Sequence, residues 1–219
     1  MQSGISGSSR DHAGPLVLIS TWRLVLAATA LTGFAAALTG DFERGFIPFN
    51  LNYFSQLGAL AVGLTALGGL LSPLWNDGRI EGARGFLRGA STTWSVLIMI
   101  VFATLLHGSY SSLSSKLEHL VVPVLAAIDW IVVGRNSSRL QWWWPLVWLA
   151  GPVVYLPFYI AATHQRGRPL YVFLDPDNGD FWIVAAGVLL GFAVLGYLFW
   201  AIGRLRGRMV SSRTGPHPG

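Results

Sequence analysis

One hydroxyl and two imidazoles, on Ser55, His107 and His119, are the groups in this 219-residue chain best suited to covalent chemistry together. A serine attacks a carbonyl only when a base, usually histidine, lies within ~2.6–3.2 Å of its hydroxyl and a third group orients that base. Ser55 with His119 supplies the first two roles. Glu118, His107 or Asp175 could supply the third, and backbone amides or Tyr53 could face an oxyanion. The bland alternative is that Ser and His near helix ends bond to neighbouring backbone, headgroups or water. The chain has no G-x-S-x-G elbow and no H-E-x-x-H motif. A metal site built from His107, His119 and a carboxylate has no regular ligand spacing to recommend it. There is no cysteine, which removes thiolate metal sites and disulfides. Neither a metal nor a cofactor is expected.

These residues reach a common level only if long apolar elements carry them there. Hydrophobic residues make up 53% of the chain and charged residues 11%, about half the charged share of a soluble domain. Six stretches are long enough to cross a bilayer: Leu16–Leu38, Asn52–Trp75, Ser91–Ser111, Leu117–Gly134, Trp142–His164 and Phe181–Gly203. A spanning helix needs ~20 mostly apolar residues, because hydrocarbon offers no partner to an unpaired backbone group. The expectation is an all-α, integral-membrane bundle of six helices over residues 15–203, forming one domain. Residues 1–14, rich in Gly and Ser, and the basic stretch 204–219 read as disordered tails. The first apolar run exceeds the 7–15 residues of a signal-peptide core, so an uncleaved helix is expected.

The formal charge of +5 could suggest a nucleic-acid partner, but its distribution argues against one. With the N-terminus in the cytoplasm, ten of the fifteen Lys and Arg residues fall on the cytoplasmic side and four on the other. The positive-inside bias therefore places both termini in the cytoplasm. Membrane lipids, not nucleic acid, are the expected partners. The loop Asn76–Ala90 reads as a surface-lying amphipathic piece, and Trp142, Trp143 and Trp144 as an interfacial indole belt. Small residues recur at helical spacing at Ala27, Ala30, Gly33 and Ala37 in the first span and at Ala59, Gly63 and Ala66 in the second. Such faces let helices approach closely. Oligomeric state is not legible.

Two charges, Arg23 and Asp129, lie well inside the spans and need partners. At 1.5 Å of rise per residue they fall at similar depth, so an intramembrane Arg23–Asp129 ion pair is predicted. It would either hold the bundle together or relay protons or substrate.

Three motifs carry a family resemblance. Leu117-Glu118-His119-Leu120-Val121-Val122-Pro123 followed by Asp129-Trp130 resembles a signature of the Pr6Pr family of six-span bacterial membrane proteins: a His, a Pro four residues later, then Asp-Trp. Asn52-Tyr53-Phe54-Ser55 resembles that family's Phe-Thr or Phe-Ser opening of the second span. Tyr171-Val172-Phe173-Leu174-Asp175-Pro176 resembles its Tyr-x-Phe-Leu-Asp-Pro loop. The family is in turn similar to the animal androgen-induced transmembrane proteins, a branch that hydrolyses fatty acid esters of hydroxy fatty acids with an intramembrane Thr and a His. Carried over by position, these roles fall on Ser55 and His119. The resemblance thus implies an ester hydrolase of a lipid-like substrate in a bacterial plasma membrane. The alternative is a non-catalytic membrane protein: a small transporter, a sensor or an assembly partner.

Overall fold

The computed structural model describes residues 10–74, 85–133, 137 and 140–213. The expected N-terminal tail up to residue 9 and most of the second loop lie outside these residues. All regular structure among the described residues is helical. Its main elements in chain order are α1 (Arg10–Leu38), α2 (Phe54–Leu71), α3 (Phe86–Thr104), a composite α4, α5 (Ala150–Arg166) and α6 (Phe181–Arg213), with short helical turns at Pro48–Asn52, Ser72–Leu74 and Trp144–Val147. Composite α4 is a continuous run of four pieces, Leu113–Lys116, Leu117–Val121, Val122–Ile128 and Asp129–Val133. Its second and fourth pieces are π-helical.

Among the described residues, five helices are long and apolar enough to cross a membrane: Leu16–Leu38, Phe54–Leu74, Phe86–Thr104, Trp144–Arg166 and Phe181–Met209. Each buries at most 44% of its most apolar window inside the protein. Large apolar side chains such as Leu64, Phe158, Ile183 and Val194 point outward. An exposed apolar surface of this extent has no place in water and fits a hydrocarbon surround. The protein is therefore a multi-pass membrane protein.

Several boundaries depart from the sequence reading. α1 starts at Arg10, inside the stretch 1–14 expected to be a tail, and α4 starts at Leu113, four residues before the expected Leu117. α3 starts at Phe86, five residues before the expected Ser91, so Arg88 belongs to a helix and not to a surface loop. α6 runs to Arg213, well into the stretch expected to be a tail. Arg and Leu propagate helices readily, and no proline intervenes before Pro216.

The π turn of α4 follows from Pro123. In an α-helix the residue at 123 would donate its N–H to the His119 carbonyl, and proline has none to give. The chain relaxes by one residue, so that the Val122 N–H reaches back to the Leu117 carbonyl. Such π turns are rare and often accompany functional sites.

Small residues bring α1, α2 and α4 together. Leu26, Ala27, Ala30, Val62, Ala66, Val122 and Ala126 form one buried cluster. A Cβ on Gly63 would come within 2.8 Å of Leu31, so α2 lies directly on α1. A second cluster joins α3, α4 and α6 around the fully buried Trp130 and Trp148. Indole donors fasten this region: Trp130 to the Phe199 carbonyl at 2.9 Å, and Trp94 to the Trp148 carbonyl at 2.9 Å. In lipid, such interhelical hydrogen bonds and close packing replace the hydrophobic drive.

Candidate functional site

The site forms where α2 begins. Tyr53 is extended and no side chain caps the helix in the usual way. α5 and the connection after it do so instead. The Phe54 N–H donates to the Tyr171 hydroxyl at 2.8 Å, and the Tyr155 hydroxyl donates to the Asn52 carbonyl at 2.7 Å. Arg166 donates to the Tyr53 hydroxyl at 2.5 Å, and the Tyr159 hydroxyl donates to the Leu174 carbonyl. Burial pushes the Tyr171 hydroxyl up to about 12. The Gln56 N–H returns to the Tyr53 carbonyl at 3.1 Å. The Ser55 N–H belongs to the same first turn, where a backbone amide has no acceptor within its own helix. Unpaired first-turn amides are the groups able to meet a developing negative charge.

His119 comes from the π turn of α4. Its Nδ1 lies 3.2 Å from the Ser115 carbonyl, one turn earlier. A carbonyl can only accept, so Nδ1 carries the proton and Nε2 keeps its lone pair, the tautomer a general base requires. The ring stacks on Phe102 of α3 with centroids 3.8 Å apart and planes 16° apart. The carbonyl fixes the tautomer and the phenyl fixes the plane. Neither Glu118 nor Asp175 takes the orienting role predicted for them.

Two adjoining cavities meet at these residues. The first encloses about 760 Å³, part of it open to the outside, and is walled by apolar side chains of α2, α3, α5 and α6, among them Phe54, Ile98, Leu156 and Phe192. The second, about 980 Å³ and more open, is lined by Asp41, Asn50, Tyr53, Gln56, Ser114, Ser115 and Glu118. Ser55, Phe102, Leu106, His119 and Tyr171 line both. An apolar slot and a polar chamber therefore share a threshold that carries a hydroxyl and an imidazole.

Glu118 is buried, and Gln56 Nε2 donates to its two carboxyl oxygens at 2.8 and 3.0 Å. The Ser55 hydroxyl also interacts with this carboxyl group. Asp41, in the loop after α1, accepts from the Ser114 N–H at 2.8 Å. Hydrogen bonds from Ser114 hold its carboxyl below the usual aspartate range.

The remaining predicted residues lie elsewhere. His107 is exposed, takes a left-handed backbone (φ 45°) where α3 ends, and lines neither cavity. Asp175 accepts from the Asp177 N–H within its own loop. The described residues contain no group of three or more His, Cys, Asp or Glu able to hold a metal, so the His107–His119 metal alternative has no geometry behind it.

The predicted Arg23–Asp129 pair is not among the ion pairs seen between described residues. Asp129 faces Arg88 at 3.4 Å, and the Arg88 guanidinium lies 5.0 Å above the Trp130 ring. Arg23 donates to the Gly69 carbonyl at 3.0 Å. The early start of α3 is the cause, because it brings Arg88 into the bundle beside α4.

Sequence reasoning missed Gln56, Ser115 and Phe102. Gln56 had a signal, an amide inside an otherwise apolar run. Ser115 stands at the i−4 position of His119, where its carbonyl must lie in any helix. Nothing in the sequence marks Phe102 among so many aromatic residues.

No family model matches this chain, and no curated protein or solved structure is detectably similar to it.

Proposed function

We propose that the protein is an intramembrane serine ester hydrolase acting on a single-chain, lipid-like ester. The observation that carries this reading is the shared threshold, since Ser55 and His119 line both the apolar and the polar cavity. An ester with an acyl tail on one side and a polar head on the other would present its carbonyl there. Ser55 Oγ attacks that carbonyl while His119 Nε2 takes the hydroxyl proton. The Ser55 N–H faces the oxyanion. Collapse of the tetrahedral intermediate expels the alkoxide, which receives the proton from His119 and leaves an acyl-Ser55 ester. Water entering through the polar cavity then gives a proton to His119 as it attacks the acyl carbonyl; collapse breaks the bond to Ser55 Oγ, which takes that proton back from His119, and the fatty acid leaves. The motif resemblance to an ester-hydrolysing branch points the same way.

In this reading α4 is the sixth span. It begins beside Asp41, beyond the end of α3, and finishes beside Arg88, near the start of α3. It therefore travels the length of a helix that is itself long enough to cross. Six crossings put both termini on one side, which the arginine distribution assigns to the cytoplasm, and the site on the opposite side of a bacterial plasma membrane.

One observation favours a non-catalytic reading. The Ser55 hydroxyl interacts with Glu118, so Ser55, Gln56 and Glu118 could serve only to tie α2 to α4. A fluorophosphonate probe on the purified protein in neutral detergent separates the two. Hydrolase chemistry requires covalent labelling that Ser55→Ala abolishes and His119→Ala slows by at least about 100-fold. A folded wild-type protein that never labels leaves the non-catalytic reading standing.

A further inference from the structure

Five residues line both the apolar and the polar cavity, and three of them are polar: Ser55, His119 and Tyr171. The first two are the nucleophile and the base of the proposed hydrolysis. The third brings a phenol to the same threshold, and that hydrolysis leaves it without a step.

The hydrogen bonds around Tyr171 show what its hydroxyl still has to offer. Its oxygen accepts the Phe54 N–H at 2.8 Å, one residue before the nucleophile. That bond uses a lone pair and leaves the O–H proton to be given. Accepting an N–H also polarises the phenol and strengthens it as a donor. Burial keeps it protonated at neutral pH, as a donor must be. The Tyr155 hydroxyl lies beside it. Tyr155 gives its own proton to the Asn52 carbonyl at 2.7 Å, so toward Tyr171 it can only accept. A neutral phenol oxygen is a weaker acceptor than an oxyanion, and a hydroxyl proton turns freely about its C–O bond. The other tyrosines nearby are less suited. Tyr159 donates to the Leu174 carbonyl, and Tyr53 accepts from Arg166 and lines the polar cavity but not the apolar one.

Position agrees with chemistry. The Phe54 and Ser55 N–H groups leave the same helix end, with a rise of about 1.5 Å between them. A phenol that meets the first stands beside the second, the amide assigned to the oxyanion. Resting on the hydrolase reading, we infer that Tyr171 is a further catalytic residue, whose O–H donates to the oxyanion alongside the Ser55 N–H. As Ser55 Oγ bonds to the carbonyl carbon, the carbonyl electron pair moves onto oxygen, and Tyr171 meets that charge while keeping its proton. When the intermediate collapses, the carbonyl re-forms and the bond relaxes.

Two ketones separate this role from the support that Tyr171 gives to α2. Dodecyl trifluoromethyl ketone is electrophilic enough for Ser55 to add to it: the Oγ–C bond forms, the serine proton passes to His119 and the ketone oxygen becomes an oxyanion. Dodecyl methyl ketone stays trigonal and reports binding alone. Both are titrated against the full-length protein in neutral detergent. Tyr171→Phe should weaken the trifluoromethyl ketone at least about 30-fold more than the methyl ketone. Loss of a purely structural support would weaken the two alike. If Tyr171→Phe does not fold, 3-fluorotyrosine at position 171 keeps the hydroxyl and makes it more acidic. The trifluoromethyl ketone should then bind more tightly and the methyl ketone no differently. A parallel change in both ketones, or a change in neither, overturns the inference. Wild-type protein that labels with fluorophosphonate but shows no selective loss in Tyr171→Phe ends only this assignment. Wild-type protein that never labels and binds both ketones equally ends the hydrolase reading, and this assignment with it.

Discussion

At the scale of single residues, the site depends on which atom each polar group has already committed. His119 spends Nδ1 on a backbone carbonyl and keeps Nε2, so its tautomer follows from helix geometry and needs no acidic partner. Tyr171 spends its acceptor capacity on the Phe54 N–H. That commitment can be tested by pH. The Tyr171 hydroxyl ionises near 10 in an unfolded chain and is held up to about 12 when folded. Below pH 10 both states keep the proton, and between 10 and 12 only the unfolded chain releases it. Stability should therefore fall across that window. Thermal unfolding in detergent should show a steeper alkaline decline for wild type than for Tyr171→Phe. The variant should start lower at pH 7, by about 1 kcal/mol, for loss of the bond to Phe54. Parallel alkaline profiles would rule this assignment out. At this scale residue type and helix-end position single out Ser55, His119 and Tyr53, and the structure puts all three on the wall of the polar cavity. The sequence did not point to Arg88 as a neighbour of Asp129, because that contact depends on α3 beginning five residues earlier than expected.

At the scale of the element, α4 is the decisive piece. Pro123 is visible in the sequence, but a helix can answer a proline by kinking, by breaking or by widening a turn, and residue order does not choose among these. Here the turn widens, and the extra residue re-phases everything before it by about 100° relative to a plain α-helix. His119 faces the threshold in that re-phased register. Pro123→Ala restores the missing N–H and allows the turn to tighten. We expect the variant to keep its helical circular dichroism while its fluorophosphonate labelling falls at least about tenfold, because the imidazole turns away from Ser55. Unchanged labelling would mean that the π turn does not set the position of His119.

At the scale of the whole molecule, the sequence made the membrane character plain. Long apolar runs are the strongest signal a chain can carry, and the outward-facing Leu64, Phe158 and Ile183 agree with it. The number of crossings is subtler. Among the described residues five helices meet the length and hydropathy of a span, and α4, broken among four helical pieces, is the candidate for a sixth. Parity makes the difference measurable: six crossings return the chain to the side where it started, and five do not. The protein has no cysteine, so single cysteines report without background. Ser3→Cys and Pro216→Cys should both resist an impermeant maleimide added to intact cells, while Asp177→Cys should react. Labelling of just one chain end would remove α4 from the membrane-crossing set.

The Tyr171 hydroxyl has two duties at once, since the same side chain roofs the greasy slot and closes the first turn of the helix that bears the serine. An inhibitor bulky enough to lever that phenol aside would gain room and, in the same movement, unfasten the nucleophile's own support. Occupancy and inactivation would then be a single event. Compounds built to exploit this coupling could disarm the protein without ever touching its hydroxyl.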